Sequence, residues 1–141
     1  MSLESLPAIK RLVRHEATPG GIVKLLAAAD RHLVDARATS ISVENRFDEA
    51  YKAIMQCAMA ALWAKGHRPA TSEPGHHQLV IRSLSKTLAV DGDVVIVLDA
   101  RRKQRKLNGC SGDTASDATL AECKVQAESL IRRGREMGLG T

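Results

Sequence analysis

The sequence predicts an all-α protein, a single up-and-down bundle of about five to six helices spanning residues 1–141. Two observations support this fold class. Aromatic residues make up only 2% of the chain, whereas sandwiches and barrels are enriched in aromatic and β-branched residues. Most apolar residues also recur at the three- and four-residue spacing of a helix face. We therefore expect one closely packed helical domain.

Two helices are predicted before residue 40. Over 3–15 the apolar residues recur at helical spacing, and the turn-forming residues 18–21 then interrupt the pattern. A second apolar stripe runs over 20–37. We expect both helices to pack on the rest of the bundle or across a dimer partner.

The strongest helical pattern begins after Ser42, a good N-cap residue, and continues to Lys65, just before Gly66. Its apolar stripe is broad enough to face two neighbours, which is typical of the central helix of a bundle. A turn-rich connection over 67–75 then leads to a helix predicted over 76–89.

Residues 87–98 fit either a hairpin or a helix. Asp91-Gly92 between two apolar runs is a hairpin signal, and residues 94–97 are all β-branched. The sequence offers no further strand to join such a hairpin, and an isolated pair of strands is marginally stable. Apolar residues from Val94 to Leu107 also share a helix face, so we favour a helix.

The end of the chain is predicted to contain one more helix. Residues 109–112 read as a turn, and Thr114-x-x-Asp117 reads as a capping box for a helix that continues to about Arg133. The glycines that follow predict a frayed tail: Gly134, Gly138 and Gly140.

The formal net charge is +5, and the densest cluster of cations lies in one segment: Arg101, Arg102, Lys103, Arg105 and Lys106. Cations near the C-terminus of a helix complement the helix dipole, which is a structural explanation for the cluster. The same cations can also bind phosphate irrespective of base sequence, although few aromatic residues are available to stack on bases.

Neither metal binding nor a common catalytic motif is evident. His76 and His77, with His67 nearby, invite a metal hypothesis, but adjacent helical residues point about 100° apart and no further ligand stands at a familiar spacing. The chain has no P-loop, dinucleotide fingerprint, H-E-x-x-H or G-x-S-x-G motif. Cys110 has no base partner at a supporting spacing. We therefore predict no metal and no cofactor.

Cysteine usage and hydropathy predict a cytoplasmic protein. The chain has three cysteines, an odd number, and no C-x-x-C pair, which favours a reducing compartment; the three are Cys57, Cys110 and Cys123. The first sixteen residues lack an apolar core of signal-peptide length, and no uncharged apolar run approaches a membrane span. We expect no association with a membrane.

Three stretches, taken in order, carry a family resemblance: SVENRFDEAYKAIMQCAMAALWAKGHRP, GHHQLVIRSL and LDARRKQRKLNGCSG, followed by a capped final helix. Together they resemble the HEPN domain, the higher-eukaryote and prokaryote nucleotide-binding family of helical bundles. The likeness covers about residues 40–135 and rests on order and pattern rather than on an invariant string. It implies a homodimer with a basic groove that binds RNA or a nucleotide, or that pairs with a nucleotidyltransferase-type protein in a toxin–antitoxin-like system.

The resemblance also locates a degenerate motif. In the ribonucleases of this family an arginine is followed, after four to six residues, by a histidine or, in some relatives, a tyrosine. The resemblance implies Arg105 as that arginine, Lys106 as its polar neighbour and Cys110 at the histidine position, while Arg102 and Asn108 give an alternative register. RNA cleavage without a metal needs an acid or base near neutral pH, so the missing histidine argues against catalysis.

Three functional hypotheses therefore remain. The favoured one is a non-catalytic HEPN-like domain that contacts nucleic acid, a nucleotide or a partner through Arg101, Arg102, Arg105 and Lys106. The second is an endoribonuclease in which His76 or His77 reaches Arg105 through the fold. The third is a helical protein-interaction module whose cations are merely solvated.

Overall fold

The computed structural model describes residues 12–70, 76–112 and 115–139, with the backbone alone given for 109–111. These residues form five helices and one two-stranded sheet, so the predicted all-α helical bundle is confirmed. In chain order the elements are β1 (Leu12–Arg14), α1 (Pro19–Arg37), α2 (Val43–Ala64), β2 (His67–Pro69), α3 (His76–Thr87), α4 (Gly92–Ser111) and α5 (Asp117–Glu136).

The two strands of the small sheet lie where the sequence predicts a helix and a turn. β1 pairs antiparallel with β2, so that Val13 lies opposite Arg68, and the His15 amide donates to the Gly66 carbonyl at 2.8 Å. The helix predicted over 3–15 is therefore wrong at residues 12–14, and its residues 3–11 lie outside the described residues. The predicted turn after α2 likewise begins as a strand. Strands this short carry too little pattern to be distinguished from a helix end or a loop.

The helix predicted over 20–37 is confirmed as α1. Residues 18–21, predicted to interrupt the helical pattern, form the N-terminus of this helix. The Thr18 hydroxyl accepts a hydrogen bond from the Gly21 amide at 3.0 Å, and Pro19 occupies the first turn. The buried face of α1 packs against α2 through Leu26, Ala29, Leu33 and Ala36.

Helix α2 is the centre of the bundle, as its broad apolar stripe predicts. Ser42 caps it by accepting from the Asn45 amide at 3.2 Å, and Gly66 ends it in the left-handed region, with φ +83°. α1, α3 and α5 all pack against α2. Its many buried alanines let these neighbours approach closely, and it contributes the three largest fully buried side chains, Tyr51, Phe47 and Ile54.

The ambiguous segment is helical, which confirms the favoured interpretation. The chain reverses at Ala89, whose φ is +53°, and α4 starts at Gly92. The predicted turn over 109–112 is wrong, because α4 continues to Ser111 and only Gly112 leaves the helix, with φ +79°. The basic cluster therefore lies in the body of α4 rather than in its last turn, so the dipole explanation does not account for it.

The last helix begins and ends later than predicted. Ser116 is the N-cap of α5 and accepts from the Thr119 amide at 3.1 Å, so the predicted capping box is wrong; Thr114 itself lies outside the described residues. Gly134 is buried inside α5, and the Leu139 amide returns to its carbonyl at 2.9 Å. The tail predicted to fray is thus ordered to Leu139, while Gly140 lies outside the described residues.

Candidate functional site

A groove of about 500 Å³ lies where α2, α3 and α4 meet. Its lining combines cations, carboxylates, a histidine and two aromatic side chains: Glu44, Asn45, Phe47, Asp48, Tyr51, His77, Arg102, Arg105, Lys106 and Asn108. These residues come from three helices, and each helix contributes different groups. α2 contributes the acids and aromatic rings, α3 the imidazole, and α4 the cations.

Arg105 is held firmly at the centre of this groove. Its Nε donates to Oδ1 of Asp48, and its guanidinium carbon lies 4.9 Å from the centroid of the Tyr51 ring. The Arg105 side chain is nevertheless 36% exposed. A guanidinium has five N–H donors, so donors remain for a ligand after the Asp48 bond is made. The pair with Asp48 and the contact with Tyr51 fix the orientation of those donors.

Asp48 is shared between two cations. Its second oxygen, Oδ2, lies 3.2 Å from Nζ of Lys52, one helical turn further along α2. Partial burial raises the pKa of the Asp48 carboxyl, but the Arg105 and Lys52 charges outweigh burial and leave that pKa below its usual range. Asp48 is therefore ionised at neutral pH and partly neutralises Arg105.

The other predicted cations divide between the groove and its surroundings. Arg102 and the exposed Lys106 line the groove, whereas Arg101 turns towards α5, where its Nε lies 3.4 Å from Glu122 Oε1. Arg102 donates to Asp99 at 2.7 Å. Lys106 has no ion pair within the described part of the chain. Three of the four predicted phosphate contacts thus come together, and Arg101 does not join them.

One of the two candidate histidines reaches the groove. His77 lines it, and its Nδ1 lies 3.3 Å from the Tyr51 hydroxyl. Burial lowers the pKa of His77, and the neighbouring His76, Arg105 and Arg102 lower it further, so the imidazole is neutral at physiological pH. The rings of His76 and His77 meet edge-on, with their centroids 4.7 Å apart, but His76 does not line the groove. Burial also raises the pKa of Tyr51 to about 12, which keeps the phenol protonated.

The motif positions at the end of α4 are Asn108 and Cys110. Asn108 lines the groove and is only 5% exposed. Its Oδ1 accepts from Gln104 at 2.8 Å, while its Nδ2 is buried without a partner among the described residues. The alternative register, Arg102 with Asn108, therefore has both members in one groove. The side chain of Cys110 lies outside the described residues, so its predicted position stays a prediction.

Sequence reasoning missed the α2 side of the groove. Asp48 and Tyr51 are three residues apart and so share a face of α2, but nothing in the α2 sequence indicates that this face meets α4. The pairing of Asp48 with Arg105 joins residues from separate helices, and a single sequence carries no signal for such a contact.

Within the described residues, no helix combines the length and the hydropathy that crossing a bilayer requires. Comparison of the chain with models of protein families, with curated proteins and with solved structures finds no match. The resemblance to the HEPN family therefore remains a prediction from the residues.

Proposed function

We propose that the groove between α2, α3 and α4 binds the phosphates of single-stranded RNA and does not cleave the RNA. The observation that carries this proposal is the arrangement of Arg105, oriented by Asp48 and by the ring of Tyr51, beside Arg102 and Lys106 in a single groove. A guanidinium with a fixed orientation and unused donors suits the tetrahedral oxygens of a phosphate.

The charges around the groove favour an anionic ligand. The chain carries a formal net charge of +5, and the groove is lined by three cations against two carboxylates, those of Glu44 and Asp48. Lys106 is exposed and unpaired within the described residues, so its full charge faces solvent. Binding a polyanion to such a surface releases counterions and weakens as salt is added.

The aromatic residues indicate that the groove contacts phosphate rather than bases. Tyr51 is only 2% exposed, and the Arg105 guanidinium covers its ring. A ring in this position cannot stack on a base, which is how most single-strand-binding proteins hold bases. We therefore expect binding that depends little on RNA sequence and strongly on salt.

The Asp48 carboxylate sets an upper limit on affinity. A phosphate that approaches Arg105 must share the guanidinium with Asp48, and the two anions repel each other in the groove. Asp48 therefore orients Arg105 but weakens the attraction between Arg105 and a phosphate. This predicts moderate affinity.

The proposal is tested by fluorescence anisotropy of a labelled single-stranded RNA at about 50 and 200 mM salt. We expect wild type to bind and Arg105→Ala to bind more weakly, with a salt dependence shallower by about one unit of log–log slope. Arg82→Ala is the matched control, because Arg82 is an exposed arginine of α3 outside the groove. An equal loss in both variants would show that net charge alone attracts the RNA.

A double variant separates Arg105 from its partner. Arg105→Ala alone leaves Asp48 paired only with Lys52, and this less compensated carboxylate would itself repel RNA. Asp48→Asn combined with Arg105→Ala removes both charges and keeps the net charge of wild type. Weak binding by this double variant supports a direct contact from Arg105, whereas binding as tight as wild type contradicts it.

A second candidate function, metal-independent cleavage of RNA, is favoured by one observation: His77 lines the same groove as Arg105. A neutral imidazole can accept the proton of a ribose 2′-hydroxyl while the arginines bind the phosphate. The anisotropy samples are therefore also run on a denaturing gel. Cleavage that is lost in His77→Ala and kept in His76→Ala would replace the binding-only proposal, and intact RNA in all samples removes this candidate.

The partners implied by the family resemblance, a second copy of the chain or a nucleotidyltransferase-type protein, stay predictions. If wild type neither binds nor cleaves RNA, the proposal fails, and the remaining hypothesis is the helical interaction module with solvated cations. Size-exclusion chromatography with light scattering then tests the predicted dimer directly.

A further inference from the structure

A second polar cluster lies between α1 and α2 and takes no part in the groove. Its members are His32 and Asp35 of α1 and Glu49 of α2, and one ligand atom of each lies within 4.8 Å of the other two. We propose, in contrast to the prediction of no metal from the sequence, that this cluster binds a divalent first-row transition-metal ion such as Zn²⁺. The proposal is independent of RNA binding, because none of the three residues lines the groove.

The helices themselves produce this arrangement. His32 and Asp35 are three residues apart, so they lie on one face of α1. Glu49 follows Asp48 on α2 but faces α1, where its Oε2 lies 2.5 Å from Nδ1 of His32. α1 and α2 pack along each other, so the backbone positions of all three residues are set by the core.

The set of donor atoms selects the class of ion. One imidazole nitrogen with two carboxylates suits Zn²⁺, Co²⁺, Ni²⁺ or Mn²⁺ better than Mg²⁺ or Ca²⁺, which prefer oxygen ligands alone. Zn²⁺ takes such ligands at about 2.0–2.2 Å, which places neighbouring ligand atoms about 3–4 Å apart. The ligand atoms of the cluster lie within 4.8 Å of one another, and Asp35, the exposed member, has room to move towards the other two.

The accessibility of the cluster fits an open site. The side chains of His32 and Glu49 are 27% and 21% exposed, and Asp35 is on the surface. An ion held by three protein ligands would therefore keep at least one position for water, as three-ligand zinc sites do. Lys52 competes for Glu49, since its Nζ lies 3.4 Å from Oε1, so we expect moderate rather than tight affinity.

The competing explanation is an ordinary interhelical contact between His32 and Glu49. That explanation gives no role to Asp35, whose carboxylate makes no hydrogen bond or ion pair within the described part of the chain. The metal site requires Asp35 as a ligand. Asp35→Asn therefore distinguishes the two explanations, and it changes an exposed side chain on which the fold does not depend.

The experiment is a titration of the untagged full chain with Zn²⁺ alone by isothermal calorimetry, with Co²⁺ absorption as a spectroscopic check. We expect one ion per chain. Both His32→Ala and Asp35→Asn should weaken binding at least about tenfold, because even an outer-shell partner of a metal is worth about 10- to 100-fold. His76→Ala is the matched control and should bind as wild type does.

Three results would overturn the metal site. They are no Zn²⁺ binding by wild type at millimolar concentration, unchanged binding by Asp35→Asn, or a loss in His76→Ala as large as the loss in His32→Ala. Circular dichroism of each variant shows whether the helices are intact, so weaker binding is not confused with unfolding.

Discussion

Asp48 and Glu49 are consecutive carboxylates on α2, and the fold gives them different partners. Asp48 faces α4 and pairs with Arg105, whereas Glu49 faces α1 and contacts His32. Lys52 lies between them and pairs with both. Successive residues on a helix point about 100° apart, so one residue step changes which neighbouring helix a side chain meets.

The difference between the two carboxylates lies in what each partner can do. Arg105 is always charged, so its pair with Asp48 is a permanent restraint that orients the guanidinium. His32 carries an imidazole, which can also ligate a metal, so its contact with Glu49 is open to exchange. The same carboxylate chemistry on one helix thus supports a fixed ion pair on one side and a candidate ligand on the other.

The largest expected effect is on the stability of the fold and comes from removing the Tyr51 ring, which lies under Arg105 in the groove. Tyr51→Ala should lower the free energy of unfolding by about 3–5 kcal/mol, because Tyr51 is among the largest buried side chains. Tyr51→Phe keeps the ring and removes only the hydroxyl bonded to His77, so its cost should be about 0.5–1.5 kcal/mol. Urea denaturation of both variants measures these values. Equal losses would contradict the packing role of the ring.

A smaller effect is expected when the side chain at position 105 keeps a positive charge but loses the planar guanidinium group. Arg105→Lys retains the cation and removes the planar group that lies over Tyr51. We expect RNA affinity to fall about two- to fivefold, the equivalent of about 0.4–1 kcal/mol, because a lysine ammonium has no fixed fork of donors for the phosphate oxygens. Anisotropy titration measures this change, and unchanged affinity would mean that Arg105 acts only as a point charge.

The smallest expected effect concerns pH. The pKa of His77 is lower in the folded chain than its ordinary value of 6.5. Protons therefore bind preferentially to the unfolded chain as pH falls below that value, and the contribution of His77 to stability is lost as pH drops through the folded pKa. Urea denaturation at pH 7.5 and 5.5 should show a smaller loss of stability for His77→Gln than for wild type. An equal loss in both proteins would assign the pH dependence to other groups.

The helices could be predicted from the sequence because their signals are local. The apolar stripe of α2 and its cap Ser42 stand within a few residues of one another, and they locate the helix correctly. Residues 87–98 show the limit of this approach, since β-branched residues and Asp91-Gly92 fit a hairpin equally well locally. The helix that starts at Gly92 buries Leu98 against the bundle, while Val94, Val95 and Val97 stay partly exposed and Ile96 is exposed.

The sheet and half of the candidate site could not be predicted, because both depend on distant contacts. Val13 forms a strand only because Arg68 lies beside it. The cations of α4 are evident in the sequence, but Asp48 becomes part of the groove only when α4 lies against α2. The placement of His77 rather than His76 in the groove likewise depends on how α3 is rotated on its neighbours.

The most direct test compares the two neighbouring carboxylates. Asp48→Asn and Glu49→Gln each remove one negative charge, but only the first removes the anion that competes for Arg105. Anisotropy titration with labelled single-stranded RNA should show affinity rising about twofold to tenfold in Asp48→Asn, the equivalent of about 0.4–1.4 kcal/mol for a partly exposed ion pair, and little change in Glu49→Gln. Equal affinities in the two variants would contradict the claim that Arg105 binds phosphate in this groove.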